Sequence, residues 1–149
     1  MFLTKEELRS VAPIAIIDNI TAEDDNIIDI IIAESIAVMT SLLSRYYDTD
    51  VIFSAEASTD EEGNITDNRN RMVVKYLKDI AIYEIYNRCT REQNEVAEAR
   101  YNIAMEWLTK LNNGELQDKS LPPLSDGEED DGTTGEVRFG GNKRYNSIY

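Results

Sequence analysis

Apolar residues recur with a helical period in three long stretches of this chain, and the pattern fades between and beyond them. Ala97, Tyr101, Ala104, Leu108 and Leu111 alternate spacings of four and three, which stacks them on one face of a helix. Val96, Ile103 and Trp107 form a second apolar line beside it, so this helix is expected to meet more than one neighbour. Asn112-Asn113-Gly114 ends it, because glycine takes a left-handed conformation after a helix without a Cβ penalty. A longer helix is expected to begin near Glu23 to Asn26, where clustered acids suit the positive end of the helix dipole. Its stripe is Ile28, Ile31, Ile32, Met39, Leu42, Leu43 and Tyr46, with Ile27, Ile30 and Val38 on a second side that a central position or another subunit would cover. The β-branched isoleucines leave a strand open for Ile27 to Ile32, but the period from Ile31 to Tyr46 is helical. The third helix runs from about Arg69 to Cys89, with Val74, Leu77, Ala81 and Ile85 inward and Tyr76, Tyr83 and Tyr86 on neighbouring faces.

Local signals fill in the connections. Thr4-Lys5-Glu6-Glu7 is a capping box flanked by Leu3 and Leu8, where a hydrophobic staple would sit. The helix it opens should be short, since Pro13 disfavours helical geometry at Ala12. Between Asp48 and Asn68 the period is lost; Val51, Ile52 and Phe53 suggest a short extended piece, and the polar run after them a long exposed loop. Thr90 and Gln93 have the spacing of a second capping box, opening the last helix. Beyond Gly114, Leu121-Pro122-Pro123-Leu124 is stiff and non-helical in its middle, and SDGEEDDGTTGE is acidic, glycine-rich and free of aromatics, the composition of a mobile linker. The last residues regain apolar and basic character: Val137, Arg138, Phe139, Lys143, Arg144, Tyr145, Ile148 and Tyr149 are the candidate partner-contacting residues of a docking arm. The expected fold is all-α: a small bundle of three main helices plus a short N-terminal helix in residues 1–114, with a long irregular loop, and an extended arm with an acidic linker in residues 115–149.

Charge and composition narrow the function. With 29 acidic and 15 basic residues the net charge is −14, which disfavours groove binding to nucleic acid and suits basic partners or a surface that DNA passes without sticking. Cys89 is the single cysteine, which excludes an internal disulfide and fits a reducing compartment. The start, MFLTKEELRS, lacks the basic and apolar regions of a secretory signal, and the apolar run Ile27 to Ile32, broken by Asp29 and Glu34, reads as too short for a bilayer. A soluble intracellular protein is therefore expected.

Chemistry finds little to stand on. The chain has no histidine, the usual general base and metal ligand, so Cys89 has no histidine to activate it and reads as structural. GTTGEVRFGG lacks the spacing and lysine of a phosphate loop. Asp126, Glu128, Asp130 and Asp131 approach a calcium loop, but the turn glycine and closing glutamate are misplaced, so a solvated linker is the expectation. Asp60-Glu61-Glu62 reads as a solvated loop, and Trp107 as a core or interface anchor. No enzyme, catalytic group, cofactor or metal is expected.

Three segments, in order, carry a family resemblance: LLSRYYD at Leu42 to Asp48, RYNIAMEWLTKLNNGELQ at Arg100 to Gln117, and NKRYNSIY at Asn142 to Tyr149. Together with the capped N-terminal helix they resemble the Mu-type phage proteins of the head–tail connector, or adaptor, group. The acidic stretch Ser125 to Gly132 and the tyrosine-rich third helix depart from that pattern. The resemblance implies a virion structural protein in the neck, at the head–tail junction, assembled in the host cytoplasm. It implies a homo-oligomeric ring whose partners are the portal protein, neighbouring copies of itself and the next tail component. DNA would pass through without specific binding, and no membrane would be involved. The rivals are an acidic DNA mimic inhibiting a host DNA-binding protein, motivated by the net charge, and another phage assembly protein.

Overall fold

The structure is a computed structural model that describes residues 1–59, 65–88 and 94–124. Six helices and one small hairpin follow in order among them: α1 (Lys5–Leu8), α2 (Ile14–Thr21), α3 (Asp25–Leu43), α4 (Thr49–Ser54), β1 (Ala57–Thr59), β2 (Ile65–Asp67), α5 (Arg71–Asn87) and α6 (Glu95–Asn112). The fold is all-α in its architecture, with α3, α5 and α6 packed on one another and the short elements laid around them.

Each long helix is started by a side chain that satisfies otherwise unpaired amides. Asp24 accepts from the Asn26 amide at the head of α3, and Asn70 from the Met72 and Val73 amides at the head of α5. Asn94 does the same for Val96 and Ala97 at the head of α6. Thr90, Gln93 and Cys89 themselves lie outside the described residues. At the other end of α6, Gly114 has φ 74°, the left-handed exit expected of it. The N-terminal box forms: the Glu7 carboxylate accepts from the Thr4 amide at 3.0 Å, and Leu3 and Leu8 on either side are fully buried.

The seams predicted for the long helices are mostly the buried ones. Ile28, Ile31, Ile32, Met39 and Leu43 of α3 meet Leu77, Ile80, Ala81, Ile85 and Tyr86 of α5 and Ala97, Ala104, Leu108 and Leu111 of α6 in one core. Tyr101 is half-buried and stacks on Tyr83 at 4.1 Å, and Trp107 lies 4.8 Å from Tyr76, so the α5–α6 seam is edged by aromatic pairs. α3 has 19 residues and a mean hydropathy of 1.8, enough by length and composition to cross a bilayer, which corrects the expectation drawn from Ile27 to Ile32 alone. Here its inner stripe is buried against the other helices, including the Ser35 hydroxyl, which donates to the Ile31 carbonyl.

Four expectations fail. Ile14–Thr21, where no element was expected, is a helix: Pro13 ends the α1 region but, with fixed φ and no N–H to satisfy, stands at the N-cap of α2. Two left-handed residues, Ala22 (φ 54°) and Glu23 (φ 60°), then turn the chain into α3. Val51, Ile52 and Phe53, expected to be extended, lie in α4, whose N-cap Asp48 accepts from the Val51 amide; Ile52 is buried and Phe53 meets Phe2 edge-on at 5.1 Å. The expected loop from Asp48 to Asn68 also holds the antiparallel pair β1–β2, with Ala57 opposite Asp67. Finally, the chain does not leave the bundle at Glu115: residues 115–124 fold back on it, as the bonds of Leu121, Pro122 and Leu124 show.

Candidate assembly surface

The return of the chain after Gly114 builds a cleft at one end of the bundle. Leu121 is buried, and the Asp48 amide donates to the Pro122 carbonyl at 3.0 Å while the Leu124 amide donates to the Tyr46 carbonyl at 2.9 Å. The Tyr47 hydroxyl accepts from the Asp118 amide at 3.0 Å, and Asn70 donates to Ser120 at 2.7 Å, so this strap is tied to the C-terminal end of α3 and the N-terminal end of α5. After a turn from Asp118 to Leu121, Pro123 bridges Tyr47 and Pro122 supplies the acceptor that Asp48 needs. Between strap and helices lies a cleft of about 610 Å³ lined by Tyr46, Tyr47, Gly114, Leu116, Leu121 and Pro123 among others. Arg45 reinforces the same end by donating to the Asn112 carbonyl at 3.3 Å and sitting over the Tyr46 ring.

The second feature is apolar area that no described part of the chain covers. On α3, Ile30 (53% exposed), Ala33, Ala37 and Val38 share an outer face whose only charged member is Glu34. On α6, Val96 (59%), Ala99 and Ile103 (53%) form a strip at helical spacing. These include the second sides noted in the sequence: Ile30, Val38, Val96 and Ile103 are exposed, whereas Ile27 and Trp107 are packed against the core.

Charge locks the N-terminus to the hairpin. Arg69, 8% exposed, donates to both Glu7 carboxylate oxygens, to Asp67 through Nε and Nη2, and to the Phe2 carbonyl, while its guanidinium lies over the Phe2 ring. These hydrogen bonds hold Asp67 down at about 2 and raise Arg69 above its ordinary range. Burial alone would push Glu7 up, but the bonds from Arg69 and the Thr4 amide together leave it below its usual value. Lys5 is raised by its contacts with Asp18 and Asp25, at 2.7 and 2.6 Å. That ionic contact is the partner of the buried Asp18 Oδ1, which accepts no well-aligned hydrogen bond among the described residues. Among the described residues no group of three or more acidic or sulfur side chains is arranged to hold a metal ion.

The residues predicted to contact partners, Val137, Arg138, Phe139, Lys143, Arg144, Tyr145, Ile148 and Tyr149, lie outside the described residues, as do Asp126, Glu128, Asp130 and Asp131. The strap escapes sequence reading because its hydrogen bonds reach residues some 70 positions away; the buried Leu121 beside two prolines is its one local trace.

Residues 2–139 match the family described as Bacteriophage Mu, Gp36. The chain belongs to this family. It is therefore a phage protein, and the match spans the bundle, the strap and the acidic stretch of a Bacteriophage Mu Gp36 family member. No curated protein and no solved structure matches it.

Proposed function

We propose that this phage protein is a head–tail connector: a structural adaptor that assembles as a homo-oligomeric ring between portal and tail. The observation that carries the proposal is the pair of uncovered apolar strips, Ile30–Ala33–Ala37–Val38 on α3 and Val96–Ala99–Ile103 on α6, in a bundle whose core is otherwise closed. Contiguous exposed apolar residues at helical spacing favour contact with further subunits. Membership of a phage family and the net charge of −14 support the same role, since an acidic passage repels the DNA backbone it must let through. In this role the protein performs no catalysis, needs no cofactor, touches no membrane, and works in the neck of the virion after assembly in the host cytoplasm. Its partners are neighbouring copies, the portal protein and the next tail component, with Val137 to Tyr149 as the arm that reaches them.

The test is native mass measurement of the purified protein, alone and with the portal protein of the same phage, for the full chain and for a chain lacking residues 137–149. A ring that forms on portal with the full chain and is lost on deletion, while helical content persists, is the expected result. A protein that ignores portal and forms a tight one-to-one complex with a basic host enzyme would replace the connector with a DNA mimic.

A further inference from the structure

Four of the 15 basic residues of this acidic chain gather around one cleft. Arg71, Lys75 and Lys78 follow one another along α5, Arg100 approaches from α6, and Ser10 and Val11 close the third side of a space of about 370 Å³. Asp79 is the one acid in its lining, and it is already engaged by Lys75 at 3.1 Å. Lys78 donates to the Ser10 hydroxyl at 3.3 Å and Arg100 to the Val11 carbonyl at 3.4 Å. Among the described residues no carboxylate forms an ion pair with Arg71, Lys78 or Arg100. Lys75 is neutralised by Asp79, and Glu7 and Asp67 act on Lys78 and Arg71 only without ion-pair contact, so the cleft keeps an excess of positive charge that an anionic occupant offsets.

The strap points to which anion. Ser120 accepts from Asn70, the residue immediately before Arg71, and four residues later Leu124 is tied to Tyr46. The next twelve residues, Ser125 to Glu136, carry six carboxylates (Asp126, Glu128, Glu129, Asp130, Asp131, Glu136) and no cation. Twelve extended residues reach up to about 40 Å, whereas Arg71 to Lys78 spans only about 10 Å of helix. We infer that the cleft of Arg71, Lys75, Lys78 and Arg100 docks the acidic segment Ser125–Glu136 of its own chain. Docking there fixes the side of the bundle from which residues 137–149 set out, and it does so whether or not the protein is a connector. Duplex DNA is the competing anion; a chain of net charge −14 opposes it at long range, while a covalently attached segment arrives without a diffusional encounter.

The experiment uses the full chain with a photo-activated cross-linking amino acid in place of Glu129. It is irradiated as an equal mixture of light and heavy isotope-labelled protein, digested and mapped by mass spectrometry. Cross-links to peptides containing residues 71–78 or Arg100, light to light and heavy to heavy, are expected. They should weaken severalfold between about 50 mM and 500 mM salt as exposed charges are screened. The double change Arg71→Glu and Lys78→Glu should reduce them about tenfold. So should neutralising the segment (Glu128→Gln, Asp130→Asn, Asp131→Asn), which leaves the folded body untouched should the first variant lose its helical signal. Cross-links confined to other surfaces, or only between light and heavy chains, would overturn the assignment. So would duplex DNA that binds the full chain and is released by Arg71→Glu and Lys78→Glu.

Discussion

Leu108→Ala tests the core directly, and Ile103→Ala on the same helix tests the surface drawn from it. Leu108 is completely buried in α6, whereas Ile103, five residues earlier and on the second apolar line, is 53% exposed. Truncating Leu108 removes three carbon groups, worth about 2.4 kcal/mol of transfer free energy at ~0.8 kcal/mol each. The void adds up to about 2 kcal/mol more, at ~24 cal/mol per Å³ of cavity that fails to collapse. Ala97 and Ala104 on the same face are small and backbone-limited, so little can move in, and a loss of about 3–4 kcal/mol is expected. That is a large share of the roughly 5–15 kcal/mol that holds such a domain. Ile103→Ala exchanges a β-branched residue for the best helix former at an exposed site, so the monomer should change by less than about 0.5 kcal/mol. Urea unfolding followed by helical circular dichroism and by Trp107 emission reads both, with an unchanged slope showing that only stability moved. A Leu108→Ala loss below about 1 kcal/mol, or equal losses for the two variants, would refute the assignment of inner and outer faces. If Ile103 meets a neighbouring copy, its truncation should weaken oligomers in mass measurements while sparing the monomer.

Arg69→Met leaves the Glu7 and Asp67 carboxylates without their cation; since both are partly exposed the cost should be about 2–3 kcal/mol in thermal or urea unfolding, below that of a fully buried pair. Both carboxylates are depressed in the folded state, so their contribution is fully present above the unfolded carboxylate range, near pH 4, and is lost as pH falls through about 2 for Asp67. Stability measured from about pH 5 down to about 2.5 should therefore fall less steeply in Arg69→Met than in the parent, and parallel slopes would contradict the linkage. Ala22→Gly should stabilise by about 0.5–1 kcal/mol by relieving a left-handed backbone at φ 54°, and a loss of stability would mean that the Ala22 side chain matters more than its strain. Duplex DNA should bind the protein more weakly than about 100 µM at physiological salt; submicromolar, salt-sensitive binding would contradict a passive conduit.

The three long helices are legible in the sequence because each carries an apolar stripe of helical period, backed by acids at the head of α3 and a stop after α6. Asp24 with Ile28 to Leu43, and Ala97 to Leu111 with Gly114, need nothing from elsewhere in the chain. α2 and α4 are too short to display a period, and their Ile-Ile and Val-Ile-Phe runs satisfy an extended pattern equally well; burial of Ile17 and Ile52 decides for helix. Asn94 is hard to single out because Thr90 offers the same capping chemistry four residues earlier. The candidate surface is half legible: the second apolar lines on α3 and α6 are visible, but which of their members face outward depends on how the helices cross. Ile27 and Trp107 turn inward while Ile30 and Ile103 do not.

The strap has a consequence for how the molecule opens. Its hydrogen bonds from Asp48, Asp118 and Leu124 join positions far apart in sequence, and each needs the ends of α3 and α6 already in place. It is therefore expected to dock last and peel first, as a unit, while the helix cores stay closed. The amides of Asp48, Asp118 and Leu124 should thus exchange with deuterium at one common free energy of opening, well below that of Leu108 or Ile80. Peeling also exposes Leu121 and empties one wall of the tyrosine cleft, so any partner that grips the chain beyond Leu124 holds a handle on that partial unfolding.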